Sequence, residues 1–160
     1  MNKYLLKIAS VAGPIKAYRR AYQTISEGSH AWHSTSNKGL SGILNDKSIN
    51  PGTRRNYFGK GVYMNDVAPA HGYEVGGAGI ADAAVGVHKK DLSLSRVGPD
   101  SEYLKSESRI PIHSKSLAIL KDKPSGELQQ KIRDARVRTI PAHVWDEAKM
   151  LRDYHSGKFD

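Results

Sequence analysis

The segment FGKGVYMND, Phe58 to Asp66, holds the residue types in this chain best suited to chemistry on a ligand. Gly59 and Gly61 allow a sharp turn and a close approach of the backbone to a bound molecule. Phe58 and Val62 are expected to anchor that turn in the core. Tyr63, at the start of a strand, can present a flat ring to a planar heterocycle. Taken alone, a turn feeding a buried strand with Tyr63 as a core residue is the simpler reading, because Gly-x-Gly before a strand is common.

Other residues offer chemistry less directly. His30 and His33 have the spacing of a metal pair, but on a strand positions three apart point to opposite faces. His143 and Glu147 are one helical turn apart and have no evident third ligand, so they read as a solvated face. Gly76, Gly77 and Gly79 match neither a P-loop nor a dinucleotide fingerprint and read as a flexible loop. Ser34 and Ser36 stand in no nucleophile elbow. The chain has no cysteine, which excludes disulfides, thiolate metal sites and a cysteine nucleophile. No metal is expected.

The chain has 160 residues and a formal charge of +9, with the front half the more basic. That length suits one compact domain with a core of its own. The charge suits solubility, or a polyanionic partner such as nucleic acid or a dinucleotide. Lys7 interrupts the N-terminal apolar run, which argues against a secretory signal. No apolar stretch is long enough for a transmembrane helix. A cytoplasmic location is expected, including delivery into the cytoplasm of a target cell.

The elements that must position these residues follow from periodicity. Residues 3–26 read as helix with a break at Pro14. Residues 29–35 alternate as a strand, with Ala31 and His33 on one face and Trp32 on the other. Leu40, Ile43 and Leu44 mark a helix capped by Ser36 or Asn37. Residues 50–52 read as a turn and residues 61–64 as a short strand. Further strand signals lie at 80–89, 92–97, 102–112 and 116–120, with a turn at 98–100. Residues 125–136 and 142–155 close the chain as helices, the second with Val144, Ala148 and Leu151 on one stripe. Arg133, Arg136 and Arg138 read as solvated. The fold class is α+β.

Between HSTS, beginning at His33, and DSEY, ending at Tyr103, the central segment takes on another meaning. The ordered His33, Tyr63 and Glu102 resemble the His-Tyr-Glu triad of the ADP-ribosyltransferase superfamily, in the clade of the poly(ADP-ribose) polymerases and diphtheria toxin. The match rests on Phe58, Gly59, Lys60, Gly61, Tyr63 and Asp66 in the middle motif. His33 with Thr35, Gly42-Ile43-Leu44, and Glu102-Tyr103 extend it over roughly residues 29–120. The resemblance implies a split β-sandwich core over 29–121. An N-terminal helical extension (1–28) and a C-terminal helical segment (122–160) would flank it in one compact domain.

The resemblance also implies a chemistry, with NAD as the substrate. His33 would hydrogen-bond a ribose hydroxyl, and the backbone at Ser34 would hold the nicotinamide amide. Tyr63 and Tyr73 would sandwich the nicotinamide ring, with Thr35 and Gly61 in the same pocket. Glu102 would hold the 2′-hydroxyl and stabilise the oxocarbenium ion as nicotinamide leaves. Glu107 is a rival carboxylate. Lys60, with Arg54 or Arg55, could neutralise the pyrophosphate, and Asp100 could orient an acceptor. Ser34 stands where the family usually has glycine.

The 39 positions from Tyr63 to Glu102 leave little room for a long acceptor loop, so mono-transfer to a protein or nucleic-acid acceptor is expected. Size suggests a toxin, effector or phage-type protein. Two alternatives stand beside this reading. One is an RNA 2′-phosphotransferase-like NAD-dependent enzyme. The other is a non-catalytic nucleic-acid or virion-associated binding module.

Overall fold

A computed structural model describes residues 14–52, 58–66, 81–101 and 103–157. The elements in chain order are α1 (Pro14–Glu27), β1 (His30–Thr35), α2 (Asn37–Asp46), β2 (Ser48–Ile49), β3 (Val62–Met64) and β4 (Ala83–His88). After a 3-10 turn over Lys89–Asp91 come β5 (Ser95–Val97), β6 (Tyr103–Ser106), β7 (Ile110–Pro111) and β8 (Leu117–Leu120). The chain then forms α3 (Gly126–Ala135), β9 (Arg138–Pro141) and α4 (Ala142–His155). The fold is α+β.

One four-stranded sheet, β1-β4-β8-β9, forms the frame. Its central strand β4 reads Ala-Ala-Val-Gly-Val, all buried, as expected for a strand covered on both faces. Alternation divides its side chains between two cores. Ala31, Val85, Val87 and Ala118 face one core with α2, α3, β3 and β6. Trp32, Ala84, Leu117, Ile119 and Ile140 face the other, against Tyr18 and Ala21 of α1 and Val144, Trp145 and Ala148 of α4. Gly86 lies opposite Trp32 in the ladder, and a Cβ there would sit 2.6 Å from the indole ring. The two tryptophans meet edge to face at 5.0 Å, a contact that adds about 1 kcal/mol to their burial.

Local signals act as their chemistry dictates. Ser36 caps α2 by accepting the Gly39 amide, and Ser125 caps α3 by accepting that of Leu128. Each such cap stabilises a helix by about 1 kcal/mol. Lys47 and Arg136 end these helices in the left-handed region, each donating its amide back into the last turn. Leu40, Ile43 and Leu44 are buried, as their spacing predicts.

Three expectations change. The segment after residue 121 is not purely helical. Within it β9 joins the frame, parallel to β8, because Ile140 finds a fully buried place beside Ile119. Arg138 therefore sits on an edge strand, exposed to solvent as expected. Strand β2 occupies Ser48–Ile49, just before the expected turn, and pairs with β7. Phe58 is not a core anchor. It is 39% exposed and leans on Tyr103 at 6.2 Å, while Val62 alone of the pair is buried. The helix expected over residues 3–13 lies outside the described residues.

A second sheet, β3-β6-β5, carries the central motif. Tyr63 pairs with Lys105, and Met64 with Leu104. It meets the frame at an isolated bridge between Trp32 and Asn65, whose two backbone hydrogen bonds are both 2.8 Å. His33 and Tyr63 lie immediately beside that junction. No helix among the described residues is long and apolar enough to cross a membrane.

Candidate active site

Strands β1, β3 and β6 are neighbours, so the folded chain gathers segments that lie 30 and more residues apart. His33 leaves β1 one residue after the bridge. Its Nδ1 lies 3.0 Å from the main-chain oxygen of Tyr63. A carbonyl only accepts, so Nδ1 carries the proton and the neutral ring offers Nε2 as an acceptor. Burial lowers the imidazole pKa, and the bond to the Tyr63 carbonyl opposes that effect without reversing it. The ring is neutral at pH 7. An imidazole with its tautomer set this way can accept a hydrogen bond from a hydroxyl.

Ser34 follows with its Oγ buried and without a hydrogen-bond partner. Burying a hydroxyl unpaired costs roughly 1–3 kcal/mol. A polar ligand group beside it would offset that cost. Its backbone groups face the same edge of β1 as those of Trp32, toward β3, by the two-residue alternation of a strand. Thr35 ends β1 half-buried, its carbonyl accepting the Asp82 amide at 3.1 Å.

The Tyr63 hydroxyl is engaged inside its own loop. It donates to the Gly59 carbonyl and accepts the Phe58 amide at 3.2 Å. Any role toward a ligand therefore falls to the ring. Gly59 has φ +92°, a backbone conformation that side chains disfavour. Gly61 is buried against β6, where a Cβ would lie 2.6 Å from the Ser106 carbonyl. The two glycines serve a close approach of backbone to backbone, with Lys60 exposed between them.

Sequence reasoning missed two supports of this region. Lys105 of β6 is 9% exposed, and its Nζ donates to the Phe58 carbonyl at 2.8 Å. It pairs with Glu107 at 3.0 Å. Glu107 itself is 74% exposed and serves as the counter-ion of that lysine. The available signal was a lysine set between Leu104 and Ser106 in an otherwise buried strand.

The second support is Asp66, which bridges Lys89 at 3.0 Å and Arg96 at 2.6 Å. Burial pushes the Asp66 carboxyl up, but hydrogen bonds from Arg96 and Lys89 outweigh it and hold the pKa below the usual value. Arg96 also donates to the Ser101 carbonyl at 3.3 Å. Ser101 is left-handed, with φ +53°, a conformation that costs a non-glycine residue roughly 1 kcal/mol. Arg96 thus ties the end of the FGKGVYMND segment to the turn that precedes β6.

Glu102 and Tyr73 lie outside the described residues, as do Arg54 and Arg55. Asp100 is exposed in the turn. His30 points to the face of β1 away from His33, stacked near Trp32 and His88. On that face a cleft of about 320 Å³ opens between α1, β1 and α4, lined by Trp32, Trp145, Lys149 and Arg152 among others. It lies apart from His33 and Tyr63. No protein-family model matches the chain, and no curated protein matches it significantly.

Proposed function

We propose that the protein is a mono-ADP-ribosyltransferase that cleaves NAD and transfers ADP-ribose to a macromolecular acceptor. The observation that supports this reading best is the His33–Tyr63 contact of 3.0 Å at the junction of β1 and β3, with β6 paired alongside. Motifs that resemble those of the superfamily thereby fall on adjacent strands.

In the proposed reaction the bond between the nicotinamide nitrogen and ribose C1′ breaks. Its electron pair goes to the ring nitrogen, which leaves as neutral nicotinamide. The acceptor nucleophile then bonds to C1′ and loses its proton. Tyr63 supplies a ring face to the nicotinamide, and Tyr73 the second face. His33 accepts a ribose hydroxyl through Nε2. Glu102 stabilises the cationic sugar, which is where a fixed negative charge lowers the barrier most. Lys60, exposed beside Gly61, and Asp100, exposed in the turn before Glu102, are free to meet pyrophosphate and acceptor.

The test is release of nicotinamide from NAD, measured without acceptor and with protein, DNA or RNA added. Wild type is expected to release it and Glu102→Gln to lose at least about a hundredfold, the scale of a lost electrostatic stabiliser. Equal behaviour of the two proteins refutes the assignment.

One observation favours a nucleic-acid acceptor, or a module that only binds nucleic acid. Burial first, and the positive charge of Arg138 second, lower the pKa of Arg20, so the region where α1 packs on β9 carries two cations. A phosphate beside them would gain from that positive charge. Salt-sensitive RNA or DNA binding without any consumption of NAD would select the non-catalytic reading.

A further inference from the structure

We infer that Lys105 is the positioning residue of the Tyr63 platform, an inference that rests on the proposed function. A lysine that is nine-tenths buried is uncommon and must find partners for its charge. Lys105 spends its ammonium on the Phe58 carbonyl at 2.8 Å and on Glu107 at 3.0 Å. Phe58 is also the residue whose amide the Tyr63 hydroxyl accepts, at 3.2 Å. One peptide strand end is therefore held from two sides, by Lys105 at its oxygen and by Tyr63 at its nitrogen.

The glycines complete the interlock. A Cβ at Gly59 would lie 2.9 Å from the Lys105 Nζ, and one at Gly61 would lie 2.9 Å from Cγ and Cε of the same side chain. Both glycines of the motif are thus shaped around the lysine of β6 that pairs with Tyr63 in the ladder. Lys105 sets the height of the loop over the sheet, and the loop sets the angle of the Tyr63 ring through its hydroxyl. The cation on which the motif depends structurally is Lys105, 47 residues from Phe58 along the chain, rather than Lys60 within it.

The experiment measures nicotinamide binding by calorimetry on the full chain, alongside steady-state NAD cleavage. If wild type neither binds nicotinamide nor releases it from NAD, the proposed function falls and the positioning role falls with it. If wild type does both, Lys105→Met is expected to weaken nicotinamide and raise KM for NAD by about tenfold, the scale of a lost charged hydrogen bond, with kcat changed less. Lys105→Arg, which still donates to Phe58, is expected to recover most of this. A purely supporting role would lower the melting temperature and the active fraction while leaving the Kd of the folded molecules as in wild type.

Lys105→Met with wild-type Kd and KM overturns the inference while leaving the function standing. Should Lys105→Met not fold, Lys105→Arg and Gly61→Ala carry the test. Gly61→Ala displaces the same loop, so weakened nicotinamide supports the inference and unchanged affinity in both variants overturns it. Tryptic cleavage after the exposed Lys60 gives a readout free of NAD. It is expected to quicken in Lys105→Met, and an unchanged rate counts against the interlock.

Discussion

The Nδ1 of His33 meets the main-chain carbonyl of Tyr63 at 3.0 Å, one residue beyond the bridge that joins the two sheets. Side chain and backbone thus continue a contact that strand pairing begins at Trp32 and Asn65. The bond settles which nitrogen of the imidazole is protonated, and burial keeps the ring neutral.

That arrangement makes stability depend on pH in a stated direction. Burial lowers the pKa of His33, and burial together with His88 lowers that of His30. In each case the unfolded chain takes up a proton first as pH falls below about 6.5. Stability therefore rises with pH through the window from the depressed folded values to that point, and is lost on the acid side. Urea unfolding at pH 5.5 and 7.5 should show the difference. His33→Gln should reduce it, and an unaltered pH dependence in that variant would contradict the partly buried, neutral imidazole.

Tyr63 separates hydroxyl from ring. Tyr63→Phe loses two hydrogen bonds within the loop, each worth about 1 kcal/mol net. Its melting temperature should fall by several degrees, and because the hydroxyl ties the ring to the loop, nicotinamide affinity should weaken about as much as in Lys105→Met, roughly tenfold. Tyr63→Ala removes the stacking face and should abolish that affinity. Equal affinities for Ala and wild type would remove Tyr63 from the site.

Arg96 holds the turn before β6 through the Ser101 carbonyl and is itself held by Asp66. Both ends of this tie are partly exposed, so Arg96→Met should change global stability by no more than about 1 kcal/mol. Hydrogen exchange at residues 98–104 should nevertheless quicken. Under the proposed chemistry NAD cleavage should also slow, since Glu102 follows this turn in sequence. Unchanged exchange in Arg96→Met would show that the tie does not constrain the turn.

Glu107 provides the contrast to Glu102. Paired with Lys105 and facing solvent, it is expected to be dispensable for bond cleavage. Glu107→Gln should keep kcat within about threefold of wild type, because the Phe58 carbonyl still receives the Lys105 ammonium and the lost charge is on the exposed partner. A collapse of kcat in that variant, with Glu102→Gln active, would exchange the two roles.

Gly86 tests the frame beneath the site. An alanine Cβ would press at 2.6 Å on the Trp32 ring, which is packed against Trp145 and has little room to move. Gly86→Ala should destabilise the protein by roughly 1–3 kcal/mol and shift its tryptophan emission. A melting temperature equal to wild type would mean that the two indoles repack freely.

The α+β class, the Ser36 cap, the apolar stripes of α2 and α4, and the opposed faces of His30 and His33 were all legible in the sequence. Each depends on neighbours within a few residues, where cap chemistry and side-chain period act without the rest of the chain. Tertiary structure alone decided what lies beside what. Strand β9 exists because β8 offers a parallel edge and a place for Ile140, and nothing local in Arg-Thr-Ile-Pro demands a strand. Phe58 was read as an anchor because it is apolar, yet the buried partner of its loop is Lys105, a residue that composition assigns to the surface. A buried ammonium is tolerated only where distant groups converge to receive it, and that convergence is a property of the assembled sheets.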